Sequence, residues 1–305
     1  MRALVSSTEP PHAELADVPE PSPLPNEAVV SVSAISLNRG EVRRLERMEP
    51  GTIAGWDLAG TVNRPAEDGS GPQAGARVVG VKQAGAWAER VAVATEFLAE
   101  LPEGISLEQA ATLPVAGLTA LRALEIGGFV LGKRVLVTGA SGGVGHFALQ
   151  LASLAGAHVT GVARRAEGLR ELGADEVVSE LEPEGETFDV ILDAIGGPVL
   201  GAALQRVAPR GTAVSFAATV PEPVSYPTRE HFSRAPGAVL HGLYIFDELD
   251  HTRSASPDLR RLADLVAAGR VDPQVGLSLP WSEAAEAIAA LLDRKVSGKA
   301  VLTLD

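Results

Sequence analysis

The stretch that decides the fold is Val135-Leu-Val-Thr-Gly-Ala-Ser-Gly-Gly-Val-Gly145, near the middle of the 305-residue chain. Its first three residues form a short apolar run that is typical of a buried parallel strand. Glycines stand at every third position after it (Gly139, Gly142 and Gly145), and apolar residues then recur at helical spacing. In a strand, glycine turn and helix of this kind, backbone N–H groups and the helix N-terminus can hold a pyrophosphate. The stretch therefore predicts a dinucleotide site, with an ordinary tight turn as the alternative.

The end of the next strand indicates which dinucleotide is bound. A site for NAD usually carries Asp or Glu there, about twenty residues beyond the glycines, to hold the ribose 2′-hydroxyl. Here the predicted strand His158–Ala163 runs into Arg164 and Arg165, and the first acid is Glu167. Two guanidinium groups match a 2′-phosphate, so the sequence predicts NADPH (NADP) as the cofactor. The alternative is that both arginines are solvated residues that open the next helix.

Length and composition limit the classes of protein that the chain can represent. A chain of 305 residues suggests two domains, and 46% hydrophobic residues are enough for a sizeable core. Cysteine is absent, which excludes disulfides and thiolate metal sites. The net charge of −13 argues against a nucleic-acid partner, and no apolar run reaches transmembrane length. We therefore expect a cytoplasmic enzyme with neither a nucleic-acid nor a membrane partner.

The two halves of the chain differ in their predicted architecture. Short strands separated by glycine and proline predict a partly open β-barrel in the first part; they are Arg2–Ser6, Glu27–Ile35, Gly55–Val62, Arg77–Val81 and Trp87–Val93. From Lys133 onward strands alternate with helical or glycine-rich segments, which predicts a doubly wound parallel sheet. Its strands are Val135–Val137, His158–Ala163, Glu176–Val178, Asp189–Asp193, Gly211–Phe216 and Val239–Phe246.

Helix signals complete the sequence map. Ser106 and Gln109 form a capping box, and Pro114 is expected to end or kink the helix that follows. Glycine-rich or helical segments are predicted over Glu167–Gly173 and Gly197–Val207, and helices are predicted from Ser256 to Gly269 and from Trp281 onward. Lys299–Leu304 is predicted to be a final strand. Prolines between Pro10 and Pro25 exclude a helix or a central strand there.

The order of these parts resembles the medium-chain dehydrogenase/reductase superfamily, and its zinc-free quinone oxidoreductase (zeta-crystallin-like) branch most of all. The similarity covers essentially the whole chain and is carried by seven segments: Ser36-Leu-Asn38, Gly55-Trp-Asp-Leu-Ala-Gly60, Pro114-Val-Ala-Gly-Leu-Thr119, Thr138–Gly145, Leu172-Gly-Ala-Asp175, Asp193-Ala-Ile-Gly-Gly197 and Gly298-Lys-Ala-Val-Leu302. The resemblance implies an α/β fold in which a Rossmann sheet is inserted into a GroES-like, partly open β-barrel catalytic domain. The expected bounds are 1–115 for the catalytic domain, 116–251 for the Rossmann NADP-binding domain and 252–305 for the return to the catalytic domain.

The resemblance also implies roles for individual residues and a homodimer. Asn38 would lie near the nicotinamide, Thr119 and the turn Gly142, Gly143 and Val144 near the phosphates, and two later turns beside the nicotinamide ribose. Those turns are Phe216-Ala217 and Leu243-Tyr244-Ile245. The dimer would form by pairing of the last Rossmann strand, within 239–246, across a two-fold axis.

Three further side chains have competing interpretations. Ser141 is expected to be a phosphate-loop hydroxyl, because no His–acid pair is placed to activate it as a nucleophile. Tyr244 could hydrogen-bond a substrate oxygen or simply pack at the sheet edge. Lys299 could reach the cofactor or lie exposed at the end of its strand.

Two related enzyme classes can be tested on the sequence. Zinc alcohol dehydrogenases need Cys and His ligands, whereas this chain has no cysteine, its six histidines show no ligand spacing, and Gly55-Trp56-Asp57 stands where those enzymes resemble Gly-His-Glu. We therefore expect no metal site. Short-chain dehydrogenases use a Tyr four residues before a Lys, but Tyr226 and Tyr244 are followed at that offset by Glu230 and Glu248.

The sequence predicts an NADPH-dependent, metal-free reductase of quinones or α,β-unsaturated carbonyls. Such substrates are already electrophilic, so positioning them against the cofactor would supply most of the catalysis. Asn38 and Tyr244 are the candidate catalytic residues. Two alternatives stay open: an enoyl-thioester reductase of fatty-acid or secondary metabolism, and a non-catalytic NADPH-binding protein on the same fold.

Overall fold

The chain divides into two compact units in a computed structural model that describes residues 1–304. One unit consists of Met1–Leu118 together with the chain from Leu249 onward, and the other is Thr119–Glu248. We call them the barrel unit and the Rossmann unit. The first unit is discontinuous in sequence, since the whole of the second is inserted into it. The expected domain boundaries, after residues 115 and 251, lie three residues from these unit boundaries.

The first part of the barrel unit contains short strands and two short helices. The strands are β1 Arg2–Ser6, β2 Ala13–Asp17, β3 Glu27–Leu37, β4 Asp57–Arg64, β5 Arg77–Val81, β6 Arg90–Ala94 and β7 Leu98–Glu100, and the helices are α1 Arg39–Arg44 and α2 Leu107–Ala111. The Ser106–Gln109 capping box is formed, with the Gln109 N–H donating to the Ser106 hydroxyl at 3.1 Å. As predicted, the helix stops ahead of Pro114, and a π-helical turn at Leu113–Gly117 follows.

The Rossmann unit alternates strands and helices around one parallel sheet. Its elements are α3 Leu118–Gly127, β8 Arg134–Thr138, α4 Gly143–Leu154, β9 His158–Val162, β10 Glu176–Val178, β11 Phe188–Asp193, α5 Gly197–Gln205, β12 Val207–Ser215, α6 Thr228–Arg234, β13 Val239–Gly242 and α7 Ile245–Thr252, of which α3 and α7 cross the unit boundaries. The strand order is β10-β9-β8-β11-β12-β13, with parallel pairing throughout. This order places the sheet reversal between β8 and β11, where doubly wound folds bind their ligands.

The last elements return to the barrel unit. They are α8 Ser256–Ala267, β14 Val275–Pro280, α9 Ala284–Leu292 and β15 Lys299–Thr303. β15 pairs with β3, so the order in the larger sheet is β14-β15-β3-β4-β5-β7, and β6 also pairs with β3. The core of this unit includes Trp87 and Trp281, each at most 1% exposed. The expected GroES-like barrel with a Rossmann insertion is confirmed.

Several element bounds differ from the sequence predictions for physical reasons. The strand predicted over 239–246 ends at Gly242, because Asp247 and Glu248 favour the first turn of α7. Of the two segments predicted to be glycine-rich or helical, Glu167–Gly173 forms turns, since Gly168 and Gly173 adopt positive φ, and Gly197–Gln205 is helical. The helix predicted from Ser256 is present, with Ala255 as its N-cap residue.

Three strands were not predicted: β2, β7 and β14. β2 is flanked by prolines and pairs only with β1 among the described residues, which agrees with the expectation that no central strand occurs there. Within residues 1–304, no helix combines the length and the apolar character that crossing a bilayer requires.

Candidate cofactor and active site

The carboxyl ends of five parallel strands meet at one edge of the Rossmann sheet. Val162 of β9 is paired with Thr138 of β8, and Asp193 of β11 is paired with Ser215 of β12, which is paired in turn with Gly242 of β13. Because parallel strands place their following turns at the same edge, segments far apart in sequence are brought together here. This edge is the candidate cofactor site.

The glycine turn leaves this edge and opens a long helix. Gly139 adopts φ +65°, and the Gly142 N–H donates to the Gly139 carbonyl at 2.9 Å, which closes the turn. Helix α4 then begins at Gly143, where Gly143 and Val144 are partly exposed and residues 145–152 are buried. The first backbone N–H groups of a helix have no partner within the helix, and they attract an anion. The turn therefore places a helix N-terminus at this edge of the sheet, where the sequence predicts a pyrophosphate loop.

Gly145 is the position in this turn where a side chain has no room. A Cβ there would lie 2.4 Å from the Gly139 carbonyl oxygen and 2.7 Å from the Ala140 Cα. Both are backbone atoms, so neither can move without moving the loop. At Gly142 the nearest atom to a Cβ would be the same oxygen at 3.3 Å. The close approach of helix and strand thus needs glycine at 145 far more than at 142.

The arginine pair lies beside the glycine turn. Thr138 and Val162 are register partners, and the Ala140 N–H donates to the Val162 carbonyl at 3.1 Å. Arg164 and Arg165 follow two and three residues after Val162, in an exposed turn. They extend from the same sheet edge as the glycine turn, on the neighbouring strand. This is the position that the ribose 2′ substituent of a dinucleotide occupies in doubly wound folds.

The remaining predicted cofactor residues of the Rossmann unit have different exposures. Phe216 and Ala217 directly follow β12, and Leu243 continues from β13, its N–H donating to the Ser215 carbonyl at 2.9 Å. Leu243 and Ile245 are buried, whereas Tyr244 is 53% exposed and packs edge-to-face with Phe246. Thr119 is 5% exposed in the first turn of α3, and Ser141 is half-buried in the glycine turn.

Sequence reasoning gave no role to Asp193, which lies at the centre of the candidate edge. Its carboxylate is fully buried and accepts hydrogen bonds from the Thr138 hydroxyl at 2.7 Å and the Ser215 hydroxyl at 3.1 Å. These contacts join β8, β11 and β12 at their carboxyl ends. The sequence feature that could have indicated this role is an acidic residue at the end of an apolar strand, followed closely by Gly196 and Gly197.

A second polar cluster lies in the barrel unit and contains Asn38, Glu41, Asp57 and Lys299. The Asn38 carboxamide accepts a hydrogen bond from the Lys299 ammonium at 2.6 Å. Its NH₂ group donates to Asp57 at 2.7 Å and to Glu41 at 3.0 Å. Asp57 also accepts from the Val115 N–H at 3.0 Å. The orientation of the Asn38 side chain is therefore fixed by hydrogen bonds with three titratable residues.

Lys299 lies inside this cluster, and this position does not favour its predicted contact with the cofactor. The side chain is 3% exposed, and the ammonium contacts the Leu37 carbonyl at 3.1 Å and the Asp57 carboxylate at 3.5 Å, besides Asn38. These partners account for all three N–H donors of a lysine. The alternative of an exposed strand-end lysine is wrong for the same reason. We assign Lys299 to the orientation of Asn38.

Glu41 gives the cluster a second carboxyl group for a single ammonium. One carboxyl oxygen accepts from the Asn38 backbone N–H at 2.6 Å, while the other is buried without a hydrogen-bond partner among the described residues. Burial, reinforced by the neighbouring Asp57 carboxylate, raises the pKa of Glu41 well above its usual value, although Lys299 opposes the shift. The protonated form of Glu41 is therefore favoured in the folded protein.

Replacing Glu41 with glutamine is expected to change how stability depends on pH. A carboxyl whose pKa is raised on folding adds stability below its unfolded pKa and loses it as pH rises through the folded pKa. The free energy of unfolding of the unaltered protein should therefore fall, relative to Glu41→Gln, as pH rises from about 4.3, the usual pKa of glutamate, through neutral pH. Urea unfolding across this range measures the difference. Glu46→Gln is the matched control, since the Glu46 side chain is 56% exposed; identical pH profiles for all three proteins would contradict the prediction.

The residues do not fit a zinc site. Zinc in dehydrogenases of this kind is held by thiolate and imidazole ligands, and the sequence contains no cysteine. Among the side chains of residues 1–304, no group of three or more His, Asp or Glu is close enough together to hold a metal ion. Asp57 lies in the segment that corresponds to a metal-ligand segment of the zinc enzymes. Its carboxylate oxygens already contact the Lys299 ammonium, the Asn38 amide and the Val115 N–H.

Two family models match the chain. The alcohol dehydrogenase GroES-like domain covers residues 24–103, and the family described as zinc-binding dehydrogenase covers residues 172–302. The chloroplast envelope quinone oxidoreductase homolog of Arabidopsis thaliana is 33% identical over 95% of this chain and 93% of its own length. The mitochondrial NAD(P)H oxidoreductase RTN4IP1 of Mus musculus is 30% identical over 92% of this chain and 82% of its own length.

Solved structures agree with these relatives. The quinone oxidoreductase from Coxiella burnetii superimposes with a TM-score of 0.86 at 26% identity, over 100% of this chain and 99% of that one. Mycobacterial Rv1454c, complexed with NADPH, superimposes with a TM-score of 0.85 at 25% identity, over 99% and 100% of the two chains.

Proposed function

Since the chain belongs to the quinone oxidoreductase branch of the medium-chain dehydrogenase/reductase superfamily, we propose that it is an NADPH-dependent, zinc-independent reductase of quinones or α,β-unsaturated carbonyls. One observation carries the proposal: the glycine turn and the Arg164–Arg165 turn leave the same sheet edge on neighbouring strands. The first can receive the pyrophosphate and the second the 2′-phosphate. The NADPH complex of the similar mycobacterial protein supports this choice of cofactor.

The protein's own residues bind and orient both reactants. When bound, the cofactor supplies the hydride. Backbone N–H groups at the start of α4 and the Ser141 hydroxyl would hold its phosphates, while Phe216, Ala217 and the Leu243–Ile245 turn would flank the nicotinamide ribose. Asn38, which is hydrogen-bonded to Lys299 and Asp57, is the candidate catalytic residue of the barrel unit.

The proposed zinc independence is supported by the proposed substrates and by the lack of cysteine ligands. Quinones and enones accept hydride at a carbon that is already electrophilic, so no Lewis acid is needed, and the product oxygen can take its proton from water. Tyr244, whose ring is 53% exposed, could orient the substrate oxygen. Catalysis would then rest on holding the two reactants close together in the correct orientation.

Consumption of reduced cofactor is the direct test of the proposal. Purified protein is assayed with NADPH and with NADH, using one ortho-quinone and one simple enone, with a metal chelator present. Turnover that resists the chelator and prefers NADPH is expected. Turnover only with enoyl thioesters would indicate the acyl reductase alternative. NADPH binding without turnover on any of these substrates would indicate a binding protein.

Replacing Arg164 and Arg165 together with alanine is expected to remove the preference for NADPH. The ratio of kcat/KM for NADPH to that for NADH should fall by about tenfold to a hundredfold, because two charge-assisted hydrogen-bond donors to the 2′-phosphate are lost. The NADH value itself should change little. Arg43→Ala with Arg47→Ala is the matched control, since both arginines are exposed and the charge change is the same. An unchanged ratio would remove the arginine pair from the cofactor site.

The homodimer and the cytoplasmic location complete the proposal. Strand β13 is the edge of the Rossmann sheet, and it pairs only with β12 among the described residues. Val239 and Leu240 on this strand are 52% and 51% exposed. An exposed apolar edge strand of this kind is able to pair with the same strand of a second copy. The pairing segment would be Val239–Gly242, shorter than the sequence predicted. The cytoplasmic location rests on the sequence alone.

A further inference from the structure

The carboxylate of Asp193 is surrounded by hydrogen-bond donors. One oxygen accepts from the Thr138 hydroxyl at 2.7 Å and the Ile195 N–H at 3.3 Å. The other accepts from the Gly196 N–H at 3.0 Å and the Ser215 hydroxyl at 3.1 Å. The side chain is 0% exposed, so water does not replace any of these donors. The side chain of Asp193 therefore accepts four hydrogen bonds, two on each oxygen.

The arrangement requires two oxygen acceptors on the side chain. Each oxygen faces one backbone N–H, from Ile195 or from Gly196, and a backbone N–H can only donate. An amide side chain would place its own NH₂ against one of these groups in either orientation. Burial raises the pKa of Asp193 above its usual value, although the hydrogen bonds from Thr138, Ile195, Gly196 and Ser215 oppose the shift. Asparagine, although equal in size, cannot satisfy the site.

The donors belong to the two halves of the candidate cofactor site. Thr138 immediately precedes Gly139, where the pyrophosphate turn begins, and its hydroxyl also accepts from the Ala194 N–H at 3.1 Å. Ser215 immediately precedes Phe216 and Ala217, the turn expected beside the nicotinamide ribose. The Phe216 N–H donates to the Asp193 backbone carbonyl at 3.0 Å. Asp193 is thus the direct link between the turn after β8 and the turn after β12.

We propose that Asp193 is a positioning residue that fixes the phosphate half of the dinucleotide site relative to the nicotinamide half. This inference rests on the proposed function, since it presupposes a dinucleotide at this edge. A ligand that spans both halves should depend on Asp193, whereas a ligand that occupies only the phosphate half should not. Such a difference separates positioning from a general effect on folding.

The test compares two ligands on the variant Asp193→Asn. NADPH spans both halves, and adenosine 2′,5′-bisphosphate carries only the adenosine, the 2′-phosphate and one phosphate of the pyrophosphate. The dissociation constant for NADPH should rise by about tenfold or more, equivalent to about 1.4 kcal/mol. The dissociation constant for adenosine 2′,5′-bisphosphate should change by less than about twofold, which is equivalent to less than about 0.4 kcal/mol. Titration calorimetry measures both constants.

Asp189→Asn is the matched control, because Asp189 lies on the same strand at the opposite end. Its carboxylate accepts from the Arg134 N–H at 2.9 Å, away from the carboxyl edge. Both dissociation constants should stay unchanged in this variant. Equal weakening of both ligands by Asp193→Asn, or weakening of neither, would overturn the positioning role. If the unaltered protein binds neither ligand, the proposed function itself fails.

A milder variant covers the case in which Asp193→Asn does not fold. Ser215→Ala removes only the hydroxyl that joins Asp193 to β12 and leaves the other three hydrogen bonds in place. NADPH binding should weaken by a few-fold, with adenosine 2′,5′-bisphosphate unaffected. A Ser215→Ala protein that binds NADPH as the unaltered protein does would overturn the inference.

Discussion

Replacing Gly145 with alanine is expected to abolish measurable NADPH binding and to lower the free energy of unfolding by about 2–3 kcal/mol. The added Cβ would lie 2.4 Å from the Gly139 carbonyl oxygen, so the turn and the start of α4 must move apart. This movement displaces the backbone N–H groups that would hold the pyrophosphate. Fluorescence titration with NADPH and urea unfolding measure the two effects.

Gly142→Ala is the control from the same turn. A Cβ at Gly142 would lie 3.3 Å from the Gly139 carbonyl oxygen, and the φ of −90° at Gly142 is one that alanine adopts without strain. The free energy of unfolding should therefore fall by less than about 1 kcal/mol. If Gly145→Ala were as stable as Gly142→Ala, or kept normal affinity for NADPH, the close approach of helix and strand would not be required.

Replacing Lys299 with methionine is the second change with a large expected effect. The ammonium is the buried counter-ion of Asp57 and is hydrogen-bonded to Asn38. Removing one partner of a buried ion pair leaves an uncompensated charge and costs about 3–5 kcal/mol. Urea unfolding at neutral pH should show this loss. Catalytic activity should fall as well, because the Asn38 carboxamide loses the donor to its oxygen.

The destabilisation by Lys299→Met should depend on pH in a definite direction. Burial already raises the pKa of Asp57 above its usual value, opposed chiefly by Lys299, and loss of the ammonium removes that opposition. A carboxyl with a raised folded-state pKa stabilises the fold when protonated, so the variant should regain stability as pH falls through that pKa. The double variant Lys299→Met, Asp57→Asn should recover part of the loss at neutral pH.

Lys295→Met is the matched control for Lys299→Met. Lys295 also pairs with an aspartate, Asp293, at 2.9 Å, but its side chain is 72% exposed. Exposed ion pairs contribute about 0–1 kcal/mol, so this variant should be nearly as stable as the unaltered protein. Equal costs for the two lysines would mean that burial of the Lys299 pair has no energetic consequence.

The parallel sheet and its glycine turn could be predicted because their signals are local. An apolar run, three spaced glycines and a helical repeat lie within about twenty residues, and each has a direct structural meaning. The barrel could be predicted only in outline, since β2, β7 and β14 are short edge or near-edge strands without strong alternation. The resemblance supplied the order of the domains.

The polar clusters could not be predicted from local patterns. Lys299 lies on the last strand and Asp57 on the fourth, and only the pairing of β15 with β3 and of β3 with β4 brings them together. An exposed lysine and a buried one look alike in sequence. The sequence shows Asp193 at the end of an apolar strand, but its four donors come from the ends of two other strands and from the turn after its own strand. Long-range pairing determines such sites.

The division into two units also separates the intrinsic fluorophores of the chain. All three tryptophans, Trp56, Trp87 and Trp281, belong to the barrel unit, and both tyrosines, Tyr226 and Tyr244, belong to the Rossmann unit. Emission excited at wavelengths that only indole absorbs therefore reports on the barrel unit by itself, and tyrosine emission originates in the inserted unit. A single denaturation experiment without labels can thus show whether the discontinuous barrel unit stays folded after the continuous Rossmann unit has unfolded, or whether the two units unfold together.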